Sequence, residues 1–177
     1  MLTAWFYGDH KEEGLMDRLG VQVIRLGQTQ EQYGRYTHVE AIHGGTWDDA
    51  VLSSASVRDG RKVRTEAHVR LSPGKWSIWN VPLWDRERSV AWFREHRGKR
   101  YSMLGAAASA AWPVRAALGV ARVDIGALGQ WCSRSVGESE GVAGAVDMSV
   151  SELAAHVWSL PGTEDVTVPF FGGVIRG

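Results

Sequence analysis

The sequence predicts an α+β fold in which an antiparallel β-sheet packs against helices. Segments with the two-residue alternation of strands fill the first half of the chain, up to Pro82. Segments with helical spacing and capping signals follow, and one strand-like segment, 164–171, comes last. The chain has 177 residues, of which 44% are hydrophobic and 23% charged. These values are typical of a globular protein, so we expect a single domain, 1–177.

The first two predicted strands are 1–7 and 36–43, and the second is expected to end in a turn at Gly44-Gly45. Between them, the charged segment 8–20 predicts a loop with a helical turn. Residues 21–26 fit either a strand or the end of that turn.

The next predicted strands are 47–60 and 61–70. They form a hairpin, because the Asp59-Gly60 turn lies between two β-forming runs. The alternating segment 75–83 predicts a further strand that stops at Pro82.

The helices are predicted from their ends. Asp85 can cap a helix over 86–97 that stops at Gly98, and Ser149 with Glu152 forms a capping box for 150–158. Two more helical regions are predicted, an Ala-rich one at 101–118, bent at Pro113, and one that begins at or near Cys132.

Composition excludes several classes of function. Twenty Lys and Arg balance twenty Asp and Glu, so no nucleic-acid partner is expected, although the Arg- and Trp-rich stretch 84–101 leaves an accessory nucleic-acid role as an alternative. A single cysteine rules out an intramolecular disulfide and a Cys-based zinc cluster. The first residues lack the basic region and apolar run of a signal peptide. No stable membrane insertion is indicated, because the Ala-rich 103–121 carries Pro113 and Arg115. We therefore expect a cytoplasmic protein without cofactors.

Cys132 is the first candidate for chemistry. A thiol reacts as its thiolate, which a helix N-terminus or a neighbouring imidazolium stabilises. Cys132 lies where a helix is predicted to begin, and a backbone N–H there could bind an oxyanion. The alternative is that Cys132 is a small buried hydrophobic residue.

His38 is the best placed of six histidines to serve as a base. On a strand, His38 and Glu40 project to the same face, so the carboxylate could orient the imidazole. The alternative is a solvated polar face. His43 would point away from this pair and no fourth ligand is evident, so no metal site is predicted.

Four segments taken in order, 36-YTHVEAI-42, 54-SASVRDG-60, 98-GKRY-101 and 131-WCSRSVG-137, resemble the circularly permuted NlpC-type papain-like proteins. That group includes the YiiX-type hydrolases and relatives of lecithin:retinol acyltransferase. Some of the similar members are phage- or prophage-associated, which makes a phage-encoded protein one implied origin. The resemblance spans about residues 3–140 and implies a papain-like fold.

The resemblance also implies roles for individual residues. His38 is then the general base, Cys132 the nucleophile and Glu40 the residue that orients the imidazole. Support for the substrate or its oxyanion is expected from Tyr36, Ser54, Trp131 and Ser133. Ser54, Ser56 or Asp49 on the neighbouring strand are alternatives to Glu40 as the third residue.

Two positions depart from the family pattern. Arg134 stands where an acidic residue often follows the cysteine, and Ser102 stands where an aspartate often follows the tyrosine.

The implied activity is cleavage of an amide or ester bond through a Cys132 thioester, as in amidases and peptidases. The expected substrate is a peptide, an acyl amide or a lipid-like molecule. The competing hypothesis is a papain-like scaffold without turnover that binds a partner or builds a phage particle. Oligomeric state stays open.

Overall fold

The strands and helices are taken from a computed structural model that describes residues 1–6, 33, 36–56, 62–110 and 129–174. The predicted loop at 8–20, the segment 21–26, the Asp59-Gly60 turn and the part of the Ala-rich helix beyond Ala110 lie outside the described residues. The described elements form a mixed α+β structure, as the sequence predicts.

The strands form one antiparallel sheet of six strands in the order β4-β3-β2-β1-β5-β6. Their bounds are β1 Leu2–Phe6, β2 His38–Thr46, β3 Asp49–Ser56, β4 Lys62–Val69, β5 Trp76–Asn80 and β6 Glu164–Asp165. The first five strands confirm the predicted ones, and the hairpin of β3 and β4 has the predicted pairing.

Five α-helices are described: α1 Arg86–Glu95, α2 Met103–Ala110, α3 Cys132–Ser139, α4 Val150–Trp158 and α5 Thr167–Phe171. The caps confirm the sequence prediction. The Asp85 side chain accepts hydrogen bonds from the backbone of Glu87 and Arg88, and Ser149 and Glu152 form the complete capping box of α4. Helix α1 ends at Glu95, two residues before the predicted end.

Alternation along the strands divides the core between the two faces of the sheet. One core cluster joins Trp5, Val39 and Ala41 of the sheet to residues of α1, α3 and α4, including Val136 and Leu153. The other contains Leu2, Ala4, Phe6, Ile42, Ile78 and, from α5, Phe170. Of the tryptophans that the structure describes, five are buried: Trp5, Trp76, Trp79, Trp84 and Trp131.

The predicted turn at Gly44-Gly45 is wrong, because β2 continues through both glycines to Thr46. The register of β2 against β3 passes from Ile42–Leu52 to Gly44–Val51, so His43 is the extra residue of a β-bulge. Gly45 has φ +85°, and a Cβ there would lie 2.1 Å from the backbone oxygen of Asp49. The glycine therefore serves the bulge, and the chain turns at residues 47–48 instead.

The predicted final strand over 164–171 is wrong beyond Asp165. Only Glu164 and Asp165 pair with β5, and the chain then turns into α5. The side chain of Asp165 accepts a hydrogen bond from the Thr167 backbone N–H, as at a helix start. Val166 and Phe170, four residues apart, then bury their side chains in one core cluster.

No α-helix within the described residues is long and apolar enough to cross a membrane.

Candidate active site

Cys132 is the first residue of α3. Trp131 caps the helix in an extended conformation, with φ −141° and ψ 171°. The N–H groups in the first turn of a helix have no acceptor within that helix, so the backbone N–H of Cys132 is available to a ligand oxygen. The Cys132 residue itself is only 3% exposed.

The loop before Cys132 is held against the segment that follows α1. Tyr101 forms a parallel bridge with Gln130, and the Gln130 backbone N–H donates to the Arg100 carbonyl oxygen at 3.1 Å. Gly129 adopts φ +110°, and a Cβ there would lie 2.8 Å from that same oxygen. Glycine is therefore required at this position, and the bridge brings Tyr101 close to the thiol.

His38 begins β2, opposite Phe6, at one end of the sheet. Its Nε2 lies 2.9 Å from Oε1 of Glu40, two residues along the same strand. The Cys132 side chain is also a close neighbour of His38, since its charge and its thiol both act on the pKa of the imidazole. The structure thus brings together Cys132, His38 and Glu40, all three predicted from the sequence.

The charges around His38 favour its imidazolium form. Burial alone would lower the pKa of His38, but the negative charges and hydrogen bonds of Cys132 and Glu40 outweigh it and raise this pKa to about 9. Burial also opposes ionisation of Glu40, yet the hydrogen bond from His38 and the charge of Arg64 lower the pKa of that carboxyl to about 2. At neutral pH the pair is therefore an imidazolium and a carboxylate.

Arg64 completes the site from β4, and sequence reasoning missed it. One of its guanidinium nitrogens donates to both oxygens of Glu40. Ser54 on β3 pairs with Arg64, and its neighbour Ser53 pairs with Ala41, the residue after Glu40. Because serine is small, the long arginine side chain can reach across β3 to the carboxylate. The predicted substrate contact Ser54 instead donates its hydroxyl to the Val39 carbonyl oxygen at 2.8 Å.

Tyr101 is a second neighbour of the thiol. Burial, and after it the charge of Cys132, raises the pKa of the Tyr101 phenol well above its usual value, so the side chain stays a neutral hydroxyl. Tyr101 also packs against the core cluster that contains Cys132. The sequence marked it only as part of a motif.

No protein-family model, no curated protein and no solved structure matches this chain. The chemistry of the site therefore rests on its own geometry. Among the described residues, no group of three or more His, Cys, Asp or Glu could hold a metal ion.

The other predicted support residues are engaged elsewhere. Tyr36 is buried, and its hydroxyl donates to Oγ of Ser77 at 3.1 Å. Trp131 and Ser133 both donate their side-chain hydrogens to the Met148 carbonyl oxygen, at 3.4 and 2.8 Å. These three side chains therefore have structural partners of their own.

The two departures from the family pattern have structural roles. Nε of Arg134 donates to Oε1 of Glu138 at 2.7 Å, and its guanidinium lies 5.3 Å from the ring centroid of Trp131. Oγ of Ser102 accepts from the Gly105 backbone N–H at 2.9 Å, as the cap of α2. Because aspartate is also a preferred helix cap, an aspartate at this position could accept the same hydrogen bond.

Asp49, an alternative third residue, lies away from the site. Its Oδ1 contacts Nδ1 of His68 at 2.8 Å, and both side chains are about two-thirds exposed, at 66% and 67%. Asp49 pairs with Thr46 at the far end of β2 from His38. Ser56, the other alternative, is buried and pairs with Lys62.

Proposed function

We propose that this protein is a cysteine hydrolase of papain-like type that cleaves an amide or ester bond through a thioester on Cys132. The observation that carries the proposal is the proximity of the Cys132 thiol to the His38 imidazole, whose Nε2 is held by Glu40. A nucleophile, a base and a residue that orients the base are the parts that acyl transfer requires.

In the first half of the reaction, the Cys132 thiolate attacks the substrate carbonyl carbon, and the Cys132 N–H donates to the oxyanion that forms. The carbon–nitrogen or carbon–oxygen bond of the leaving group then breaks. His38 gives its proton to that leaving group and becomes neutral.

In the second half, neutral His38 takes a proton from water, and the resulting hydroxide attacks the thioester carbon. The carbon–sulfur bond breaks and releases the carboxylic acid. The thiolate and the imidazolium are thereby restored.

The chain order supports the papain-like part of the proposal. A histidine on a strand precedes a cysteine at the start of a helix, and that helix packs on β2 and β3 of an antiparallel sheet. This order is what the resemblance to the circularly permuted NlpC-type proteins implies. Ser102 and Arg134, the two positions that depart from the pattern of those proteins, form hydrogen bonds with Gly105 and Glu138 and carry no reacting group in this mechanism.

Alkylation of Cys132 by iodoacetamide tests the pair. An ordinary thiol has a pKa of about 8.5 and is less than about 1% thiolate at pH 6. We expect the wild-type protein to react at least about tenfold faster than free cysteine at that pH. His38→Ala should bring the rate down to that of an ordinary thiol.

His68→Ala is the matched control, because His68 also contacts a carboxylate but lies on the surface. It should leave the alkylation rate unchanged. Equal rates in wild type and His38→Ala would refute the pair.

Turnover is tested separately with peptide, acyl-amide and lipid-ester substrates that release a coloured leaving group. Hydrolysis that disappears in Cys132→Ser supports the enzyme and identifies the substrate class.

The second candidate function is a papain-like scaffold that binds a partner without turnover. The burial of Cys132, only 3% exposed, favours it because a nucleophile must be reached by its substrate. Slow alkylation that does not depend on His38, together with the absence of hydrolysis, would favour this scaffold.

A further inference from the structure

We propose that Arg64 is a positioning residue of this site, whose charge balances Glu40 and so allows Cys132 and His38 to form an ion pair near neutral pH. This inference rests on the proposed function and extends it to a residue on a strand that carries no reacting group.

Four groups form a chain of alternating charge across the end of the sheet. Cys132 is a neighbour of His38, His38 contacts Glu40, and Glu40 contacts Arg64. With a thiolate and an imidazolium, these four groups carry two positive and two negative charges. Tyr101 is a further titratable neighbour of the thiol, and it stays neutral because its pKa is raised.

All of these side chains are largely removed from water. The Glu40 side chain is only 4% exposed, the Arg64 side chain 15% and the His38 side chain 19%. Burying an uncompensated charge is costly, so a site with a net charge tends to take up or release a proton. Arg64 therefore influences the protonation of every group in the chain.

Removal of the Arg64 charge would make the site that holds the thiolate, the imidazolium and the carboxylate more negative by one unit than in the wild type. A proton would return to the most basic anion. Thiolates are more basic than carboxylates by about four pKa units in water, and Glu40 is held by the imidazolium. The thiolate is therefore the group that is lost.

The experiment is iodoacetamide alkylation of the full chain between pH 5 and pH 9.5. We expect Arg64→Met to react about tenfold more slowly than wild type at pH 6, since one nearby charge changes a protonation equilibrium by about that factor. The two rates should converge above pH 9, where the thiolate forms in both proteins.

Two further variants separate charge from packing. Arg64→Lys keeps the charge and should stay within about threefold of wild type at pH 6. The double variant Arg64→Met with Glu40→Gln restores the wild-type net charge of the site and should recover most of the lost rate. Packing damage would instead change the rate by one factor at every pH, without rescue by the second substitution.

The outcomes separate this inference from the proposed function. Slow, His38-independent alkylation of the wild type would refute both. Fast, His38-dependent alkylation of the wild type with an unchanged pH profile in Arg64→Met would refute only the role of Arg64. A double variant as slow as Arg64→Met would also refute it. The midpoint of thermal unfolding, measured for each variant, identifies any that fails to fold.

Discussion

His43 should make the fold sensitive to acid. It is the extra residue of the bulge in β2, it is 2% exposed, and its ring meets Phe93 of α1 edge-on at 5.9 Å between centroids. Neither ring nitrogen has a hydrogen-bond partner among the described residues. Protonation would place a buried positive charge with no acceptor at this position.

Burial is the main reason that the pKa of His43 falls from 6.5 to about 4. Glu66 acts in the opposite direction, and Arg86 and Arg94 add to the decrease. Between pH 6.5 and pH 4 the unfolded chain therefore binds a proton at His43 that the folded protein does not. The stability from the neutral imidazole is present above pH 6.5 and is lost as the pH falls through this window.

A shift from 6.5 to about 4 corresponds to a loss of about 2.5 kcal/mol in the free energy of unfolding between pH 7.5 and pH 4.5. We expect His43→Leu to remove this part of the pH dependence. Urea unfolding, followed by tryptophan fluorescence, measures the free energy of unfolding at both pH values.

His68→Leu is the control, because His68 is exposed, and it should keep the wild-type pH dependence. The quantity compared is the change in the free energy of unfolding between the two pH values, because His43→Leu also changes packing and so shifts the stability at both. The same change in His43→Leu as in the wild type would refute the reasoning.

Three further predictions concern the helices and the site. Gly105→Ala would place a Cβ 2.4 Å from the ring of Trp131, so we expect a loss of about 1–3 kcal/mol, measured by thermal unfolding; an unchanged midpoint would contradict it. Ser149→Ala removes the hydroxyl that accepts from the Glu152 backbone, and urea unfolding should record a loss of about 1 kcal/mol, whereas no loss would mean the cap is dispensable. Because the pKa of His38 is about 9, burst kinetics should show acylation of Cys132 falling above pH 9, when the imidazolium that protonates the leaving group is lost; a flat profile to pH 10 would exclude this role.

Local signals in the sequence were sufficient where one segment determined its own structure. The caps at Asp85 and Ser149 predicted where α1 and α4 begin, because a cap is a contact between residues close in the chain. The pairing of His38 with Glu40 was predictable for the same reason, since two residues two positions apart on a strand share a face.

Arg64 could not be predicted in this way. It reaches Glu40 across an intervening strand, and that contact depends on the register of two strand pairs and on the bulges within them. In the sequence, Arg64 belongs to the basic run 61-RKVR-64, which is typical of a solvated surface. The apolar–polar alternation that placed the first five strands correctly also predicted a strand over 164–171, which is wrong beyond Asp165. Val166 and Phe170 lie four residues apart, a spacing that fits α5 instead.

The burial of Cys132 gives the protein a built-in reporter of its own opening. It is the single cysteine of the chain, and the residue is only 3% exposed. A small reagent such as iodoacetamide is expected to reach the sulfur by the same approach as a substrate, whereas a reagent too bulky for that approach can label it only after the chain opens, as in native-state exchange experiments. Comparing small and bulky reagents at increasing urea concentrations would therefore distinguish a local fluctuation around α3 from unfolding of the whole sheet. The free energy of each opening could be read from one labelled atom.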